Sequence, residues 1–108
     1  VEELIIYKNE LKNSNPARYK VIGIVSKMLL SRELFNKNEE IIDFLKYVME
    51  IEFKEYVIAS RTLIVARTVR VIEGFSDKGY LDCKKRLYKY IDSKIIDPNK
   101  KNIFDGWL

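Results

Sequence analysis

NPARYKVIGIVSKMLL, residues 15–30, decides the fold class. At about 100° per residue, Val21, Ile22, Ile24, Val25, Met28 and Leu29 fill one continuous apolar sector of a helix, while Lys20 and Lys27 project together from the opposite side. Asn15 is placed to cap this helix, and Pro16 suits the first helical position, where its missing N–H costs nothing. The spacing therefore predicts a helix from Pro16 to about Leu30.

The same period extends to both sides. Residues 2 to about 13 form a first helix, with Leu4, Ile5 and Leu11 on a shared side and Asn13-Ser14-Asn15 as its stop. A third begins after Asn36-Lys37-Asn38, where an Asn cap precedes Glu39 and Glu40, which suit the positive end of a helix dipole. Its buried stripe is Ile41, Ile42, Leu45 and Val48, and the nearby aromatics Phe44 and Tyr47 are read as core. The longest helix is expected from about Glu52 to Glu73, with Tyr56, Leu63, Ile64, Ala66 and Val71 inward and Gly74 as its stop. A fifth spans about Gly79 to Lys94, with Leu81, Leu87, Tyr88 and Ile91 inward, before Asp97-Pro98-Asn99 ends helical structure and KKNIFDGWL follows as an irregular tail.

Strand-like alternation is not sustained anywhere. No internal repeat, low-complexity segment or Pro/Ser-rich linker divides the chain. The expectation is an all-α fold, with residues 1–108 forming a single compact domain of about five helices. A stack of helix pairs needs at least three similar units, which this length does not supply.

The composition narrows the chemistry. A chain of 108 residues, 47% hydrophobic and 33% charged with six Gly plus Pro, is that of a folded domain. It has no histidine and one cysteine, so a structural zinc site, an iron–sulfur cluster and an imidazole-based catalytic pair are all out of reach. No run approaches the roughly 20 apolar residues of a membrane span, and the opening VEELIIYKNE carries acids where a signal peptide carries bases. The expectation is a cytoplasmic protein with no membrane partner. Because the chain opens at Val1 rather than Met, a preceding segment of the full-length protein is also expected.

Charge is unevenly distributed. Up to Phe53 there are 8 basic and 9 acidic residues, and beyond it 12 and 7, so the halves carry −1 and +5. Arg61, Arg67 and Arg70 share a stretch without an acid, and Lys84, Lys85, Arg86 and Lys89 follow on the next helix. Such asymmetry suits a polyanion, since Lys and Arg contacts to phosphate dominate nonspecific nucleic-acid affinity. A solvated helical face accounts for the same charge.

Arg18 is more specific. It points into the apolar sector of its helix, in the first turn, where free backbone N–H groups and the dipole favour an anion that a guanidinium can grip as a fork. The alternative is an Arg that pairs with an acid such as Glu2 or Glu10, or snorkels out. Tyr19, Tyr80 and Trp107 lie beside basic residues or near a chain end, where an aromatic ring serves as a stacking platform. Trp107 in particular reads either as an anchor for the tail or as a hot spot facing a partner. The acids are scattered over helix starts and loops, and no set converges as two-metal phosphoryl transfer demands. Asp77 and Asp82 come closest, and Asp77 reads as a helix cap.

These stretches resemble a family. NPARYKVIGIVSKMLL followed by SRELFNKNEEIIDFL is similar to the opening helices of the C-terminal domain of the large subunit of archaeal and eukaryotic DNA primases. IVARTVRVIEGFSDKGYLDC resembles that domain's stretch leading into a cluster cysteine, with Cys83 at the cysteine position, and DGWL resembles its Gly-Cys-Pro segment with Trp107 where a second cysteine falls. The family holds a four-iron, four-sulfur cluster through four cysteines, of which only Cys83 remains. The resemblance therefore implies a cluster-free, free-standing relative of the kind represented by the archaeal noncatalytic primase subunit, with no cofactor and Cys83 as a buried relic.

In that family the domain binds the 5′-triphosphate of the initiating nucleotide or RNA primer and helps hold the DNA template, while a separate catalytic subunit performs nucleotidyl transfer. The resemblance thus implies a noncatalytic role, with the catalytic and large primase subunits as partners. It places Arg18 at the helix-opening Arg that contacts the triphosphate, Lys27 near a later basic residue, and Arg67 at an Arg facing nucleic acid. Lys20, Arg61 and Arg70 join the candidate set from charge clustering. The competing expectation is a helical protein-binding module whose charges are incidental.

Overall fold

A computed structural model of the chain describes residues 2–13 and 17–96. Helix α1 spans Glu2–Asn13, with Glu2 and Glu3 at its positive end and Lys12 in its last turn. It buries Leu4, Tyr7 and Leu11, one turn apart, whereas Ile5 is exposed because it stands about 100° round from Leu4. Helix α2 spans Arg18–Leu30 and buries Val21, Ile24, Val25, Met28 and Leu29, with Ile22 packed at the margin. The start of α2 differs from the expectation. Its N-cap is Ala17, which offers no side-chain cap, while Asn15 and Pro16 lie outside the described residues.

The third region is one continuous rod of changing pitch. A 3-10 turn over Asn38–Glu40 leads into α3, Ile41–Phe44, and then into a π turn over Leu45–Met49. Leu45, Val48 and Met49 face inward together. Phe44 is fully buried, edge-on to Phe35 at 5.6 Å and to Tyr90 at 5.0 Å between ring centroids. Tyr47, expected in the core, is exposed.

The long helix expected over Glu52 to Glu73 is two helices. Helix α4 covers Glu55–Ile58 and α5 covers Arg61–Gly74. Between them Ser60 adopts extended backbone, and its hydroxyl accepts the Leu63 N–H at 3.3 Å, so the serine starts a new helix. The break moves the inward face of α5 to Ile64, Thr68 and Ile72, leaving Ala66 and Tyr56 outside the core, Tyr56 at 59% exposure. Thr68 satisfies its buried hydroxyl on the Ile64 carbonyl at 2.7 Å.

Helix α6 spans Asp77–Ile96 and buries Cys83, Leu87 and Ile91. Its first turn is capped by Ser76, whose hydroxyl accepts the Gly79 N–H at 3.1 Å, so Asp77 is the first helical residue rather than the cap. Leu81, expected inward, is exposed.

Helices α2 and α5 pack antiparallel, since Arg18 reaches the carbonyls ending α5 and Arg61 reaches Leu29 near the end of α2. Helices α1 and α6 also run antiparallel, with Lys8 on Asp92. Phe44 meets Tyr90 and Met49 meets Cys83 on α6, and one apolar cluster includes residues of all these helices. Among the described residues there are six helices, no strand, and no helix long and apolar enough to cross a membrane.

Candidate functional site

Arg18 opens α2 but acts at the end of α5. Its Nη1 donates to the carbonyls of Ile72 at 2.9 Å and Phe75 at 2.6 Å, with Glu73 at 3.3 Å. Helix α5 ends without a left-handed glycine, its one backbone closure being the Phe75 N–H on the Ile72 carbonyl at 3.3 Å, and the guanidinium adds donors and charge at the negative end of the dipole. Nη2 faces Asp77 at 3.5 Å, and the guanidinium carbon lies 4.9 Å from the Tyr80 ring centroid. The acid facing Arg18 is therefore Asp77 rather than Glu2 or Glu10. What remains for a phosphate is the Nη2 edge, reached by displacing a fully exposed carboxylate.

Arg61 is withdrawn from the candidate set by its burial, at 8% exposure. Nη1 donates to the Leu29 carbonyl, Nη2 to the Phe35 carbonyl and Nε to Asn38 Oδ1, each at 2.8 Å. Asn38 in turn donates its amide to the Ile58 carbonyl at 2.8 Å, so it bridges two segments instead of capping a helix. Burial, reinforced by the Arg32 charge and opposed by Glu40, pulls the Arg61 guanidinium below its ordinary pKa, yet an Arg remains charged throughout the accessible range. An acid-free run of sequence could not distinguish this clamp from a surface cation.

The other nominated cations are at the surface. Lys20 and Lys27 lie on the outer side of α2, and Arg67 and Arg70 on the outer side of α5. None of the four forms an ion pair among the described residues. Arg67 is steadied by Tyr56, whose hydroxyl accepts from Nη2 at 3.3 Å and whose ring centroid is 5.9 Å from the guanidinium carbon. Lys27 edges a groove of about 380 Å³ between α1 and α2, floored by Leu4, Tyr7 and Met28 and edged also by Glu3, Glu33 and Lys94. The set does not converge on one pocket, since Arg18 and Arg61 mark opposite ends of the α2–α5 pair. Trp107 lies outside the described residues.

A basic grouping absent from the candidate set lies between α1 and α6. Lys12 comes beside Lys84, Lys85 and Lys89 around a depression of about 300 Å³ floored by Leu11 and Tyr88. The run on α6 was visible in sequence, but the approach of Lys12 depends on how the two helices pack.

No protein-family model, curated protein or solved structure matches the chain. Cys83 does not fit a cluster ligand set, because a four-iron, four-sulfur cluster needs several thiolates and this is the chain's one cysteine. The thiol is fully buried against the Met49 sulfur at 3.7 Å, and burial pushes its pKa up to about 11. Among the described residues no three His, Cys, Asp or Glu gather as a metal-binding group.

Proposed function

We propose that the chain is a noncatalytic accessory subunit of a DNA primase assembly, binding the initiating nucleotide or the primer 5′-triphosphate together with template. In this reading it supports RNA primer synthesis in the cytoplasm, beside the catalytic and large subunits. The reading draws on the family resemblance of residues 15–30 and of the stretch before Cys83. The structural observation that carries it is the contrast among the cations. Arg61 is used inside the fold, whereas Lys20, Lys27, Arg67 and Arg70 are exposed and hold no ion pair among the described residues.

Cations left in this state suit positioning and neutralisation of phosphates, which is what an accessory subunit contributes when the metal chemistry belongs to a partner. Arg18 joins them only by exchanging Asp77 for a phosphate. Because that carboxylate is fully exposed, the exchange gives up little.

The test is titration of a labelled 5′-triphosphate RNA–DNA primer against wild type, Arg67→Ala/Arg70→Ala and Lys20→Ala/Lys27→Ala. The expected result is binding that weakens steeply with salt, with each double variant shallower by about 1–2 log–log slope units. Binding absent even at low salt overturns the reading.

The groove between α1 and α2 favours a second reading, a helical protein-binding module without a nucleic-acid role. Its apolar floor with a rim of both signs, Glu3 and Glu33 against Lys27 and Lys94, suits a polypeptide better than a phosphate chain. Tight association with another primase subunit, lost on Met28→Glu in a folded variant and accompanied by no nucleic-acid affinity, selects it.

A further inference from the structure

Helices α1 and α6 bring four lysines together. Lys12, in the last turn of α1, is brought against Lys84, Lys85 and Lys89 on α6. Lys12, Lys85 and Lys89 form no ion pair among the described residues. The neighbouring acids form no ion pair with these three. Asp92, one turn beyond Tyr88, is held by Lys8 at 2.7 Å, and this bond raises the Lys8 pKa. Glu10 stands about 160° round α1 from Lys12, and Asp82, one turn before Lys85, makes no ion pair with it. The helix dipole does not account for the cluster either, since Lys84, Lys85 and Lys89 sit in the middle of a 20-residue helix.

We infer that this depression is a docking site for single-stranded nucleic acid, with Lys12, Lys85 and Lys89 on phosphates and a base laid over the Leu11–Tyr88 floor. The chemistry of the two parts selects the occupant. Gathered lysines, three of them without an ion pair among the described residues, are complementary to a polyanion, and an apolar, part-aromatic floor accepts the face of any base once it is unpaired. A duplex keeps its base faces stacked inside and leaves that floor uncovered. An acidic amphipathic helix needs apolar anchors over two turns, at i, i+3 or i+4 and i+7, whereas the floor offers two side chains within about 300 Å³. The site shares no residue with the exposed cations of α2 and α5, so it stands or falls separately from the primer-binding reading.

The experiment is fluorescence anisotropy of a labelled oligo(dT) of about 20 nucleotides, long enough to cover a site of this kind. It compares the full chain with Lys12→Ala/Lys85→Ala/Lys89→Ala and with the exposed pair Lys37→Ala/Lys54→Ala as a control, after circular dichroism has shown equal folding. Poly-Glu peptide and phosphatidylserine vesicles are the parallel probes. The triple variant should bind oligo(dT) at least about tenfold more weakly, with a salt slope shallower by about 2 units for three lost single-strand contacts. The control should change less, and Tyr88→Leu, which keeps the apolar packing, should weaken oligo(dT) several-fold without changing the slope. Equal binding by wild type and the triple variant overturns the proposal, as does absence of oligo(dT) binding by wild type at low salt. Lysine-dependent binding of poly-Glu or vesicles that exceeds oligo(dT) binding overturns it too, and assigns the patch to that partner. Loss of 5′-triphosphate binding on Arg67→Ala/Arg70→Ala bears only on the α5 face.

Discussion

Arg18 donates from Nη1 to the Ile72 carbonyl at 2.9 Å, so the residue that opens α2 closes the end of α5. A hydrogen bond from a charged donor contributes about 1.5–3 kcal/mol. Arg18→Ala should therefore lower stability by about 2 kcal/mol in urea denaturation, and Arg18→Lys should recover part of it, because an ammonium lacks the planar fork. Asp77→Asn separates structure from binding. It should leave the denaturation midpoint nearly unchanged while tightening 5′-triphosphate binding a few-fold, since the phosphate then has no carboxylate to displace. Unaltered affinity in Asp77→Asn would show that Arg18 serves the fold alone.

Arg61 should matter more for stability and not at all for anions. Arg61→Met leaves the Leu29 and Phe35 carbonyls and Asn38 Oδ1 without their donors. Orphaning buried acceptors costs about 1–3 kcal/mol each before relaxation, so a loss of about 3 kcal/mol or more is expected. Among molecules that remain folded, the salt dependence of oligonucleotide binding should match wild type. A shallower slope would return Arg61 to the binding surface.

Cys83 predicts an alkaline limit. Its ordinary pKa of 9.0 is raised by burial to about 11 in the folded state, so the native protein keeps the thiol proton that the unfolded chain releases. Stability is then full below about pH 9 and falls as pH rises toward 11. Two units at 1.36 kcal/mol each give roughly 2–3 kcal/mol. Cys83→Ala should flatten this part of the pH–stability profile, leaving the later decline from Tyr90, which burial raises to about 12. In the native protein at neutral pH the thiol should react with thiol reagents only as fast as the chain opens.

Glu50 leaves the π turn in the left-handed region, at φ 57° and ψ 40°. A side chain there costs about 1–2 kcal/mol, part of which a glycine returns through its freer unfolded chain. Glu50→Gly should raise stability by about 0.5 kcal/mol despite losing the long Arg86 contact at 3.8 Å. Glu50→Val, β-branched at positive φ, should lower it by at least about 1 kcal/mol. Urea midpoints of the two variants, measured together, test the sign of each.

The regular helices could be read in the residues because periodicity is local. Val21, Ile24, Val25, Met28 and Leu29 mark the buried face of α2 by their spacing alone, and Leu87 and Ile91 do the same for α6. The departures arise where a local signal had a competitor. Ser60 carries weak capping chemistry inside an otherwise helical pattern, and it wins because breaking the helix there lets Arg61 turn inward onto the Leu29 and Phe35 carbonyls. A single helical phase run through that break puts Tyr56 and Ala66 inward, whereas both are exposed. Tyr47 is outside the core for a simpler reason: it stands about 160° round from Leu45, so its aromatic character is a poorer guide than its position.

The candidate site was less legible than the fold. Periodicity and composition are enough to show that the chain is helical, that its charge excess lies in the second half, and that it holds one cysteine and no histidine. Which cations face solvent was decided only by tertiary structure. Arg18, Arg61 and Arg67 are the same residue type, the first two each opening a helix and the third midway along α5. Their carbonyl partners, where they have them, lie 26 to 57 residues away along the chain. Arg18 closes a helix, Arg61 is buried in a clamp, and Arg67 stays outside beside Tyr56. Lys12 likewise joins Lys84, Lys85 and Lys89 only because α1 lies antiparallel on α6. Helical periodicity acts over a few residues, whereas the availability of a charge depends on every carbonyl and carboxylate that folding brings within reach.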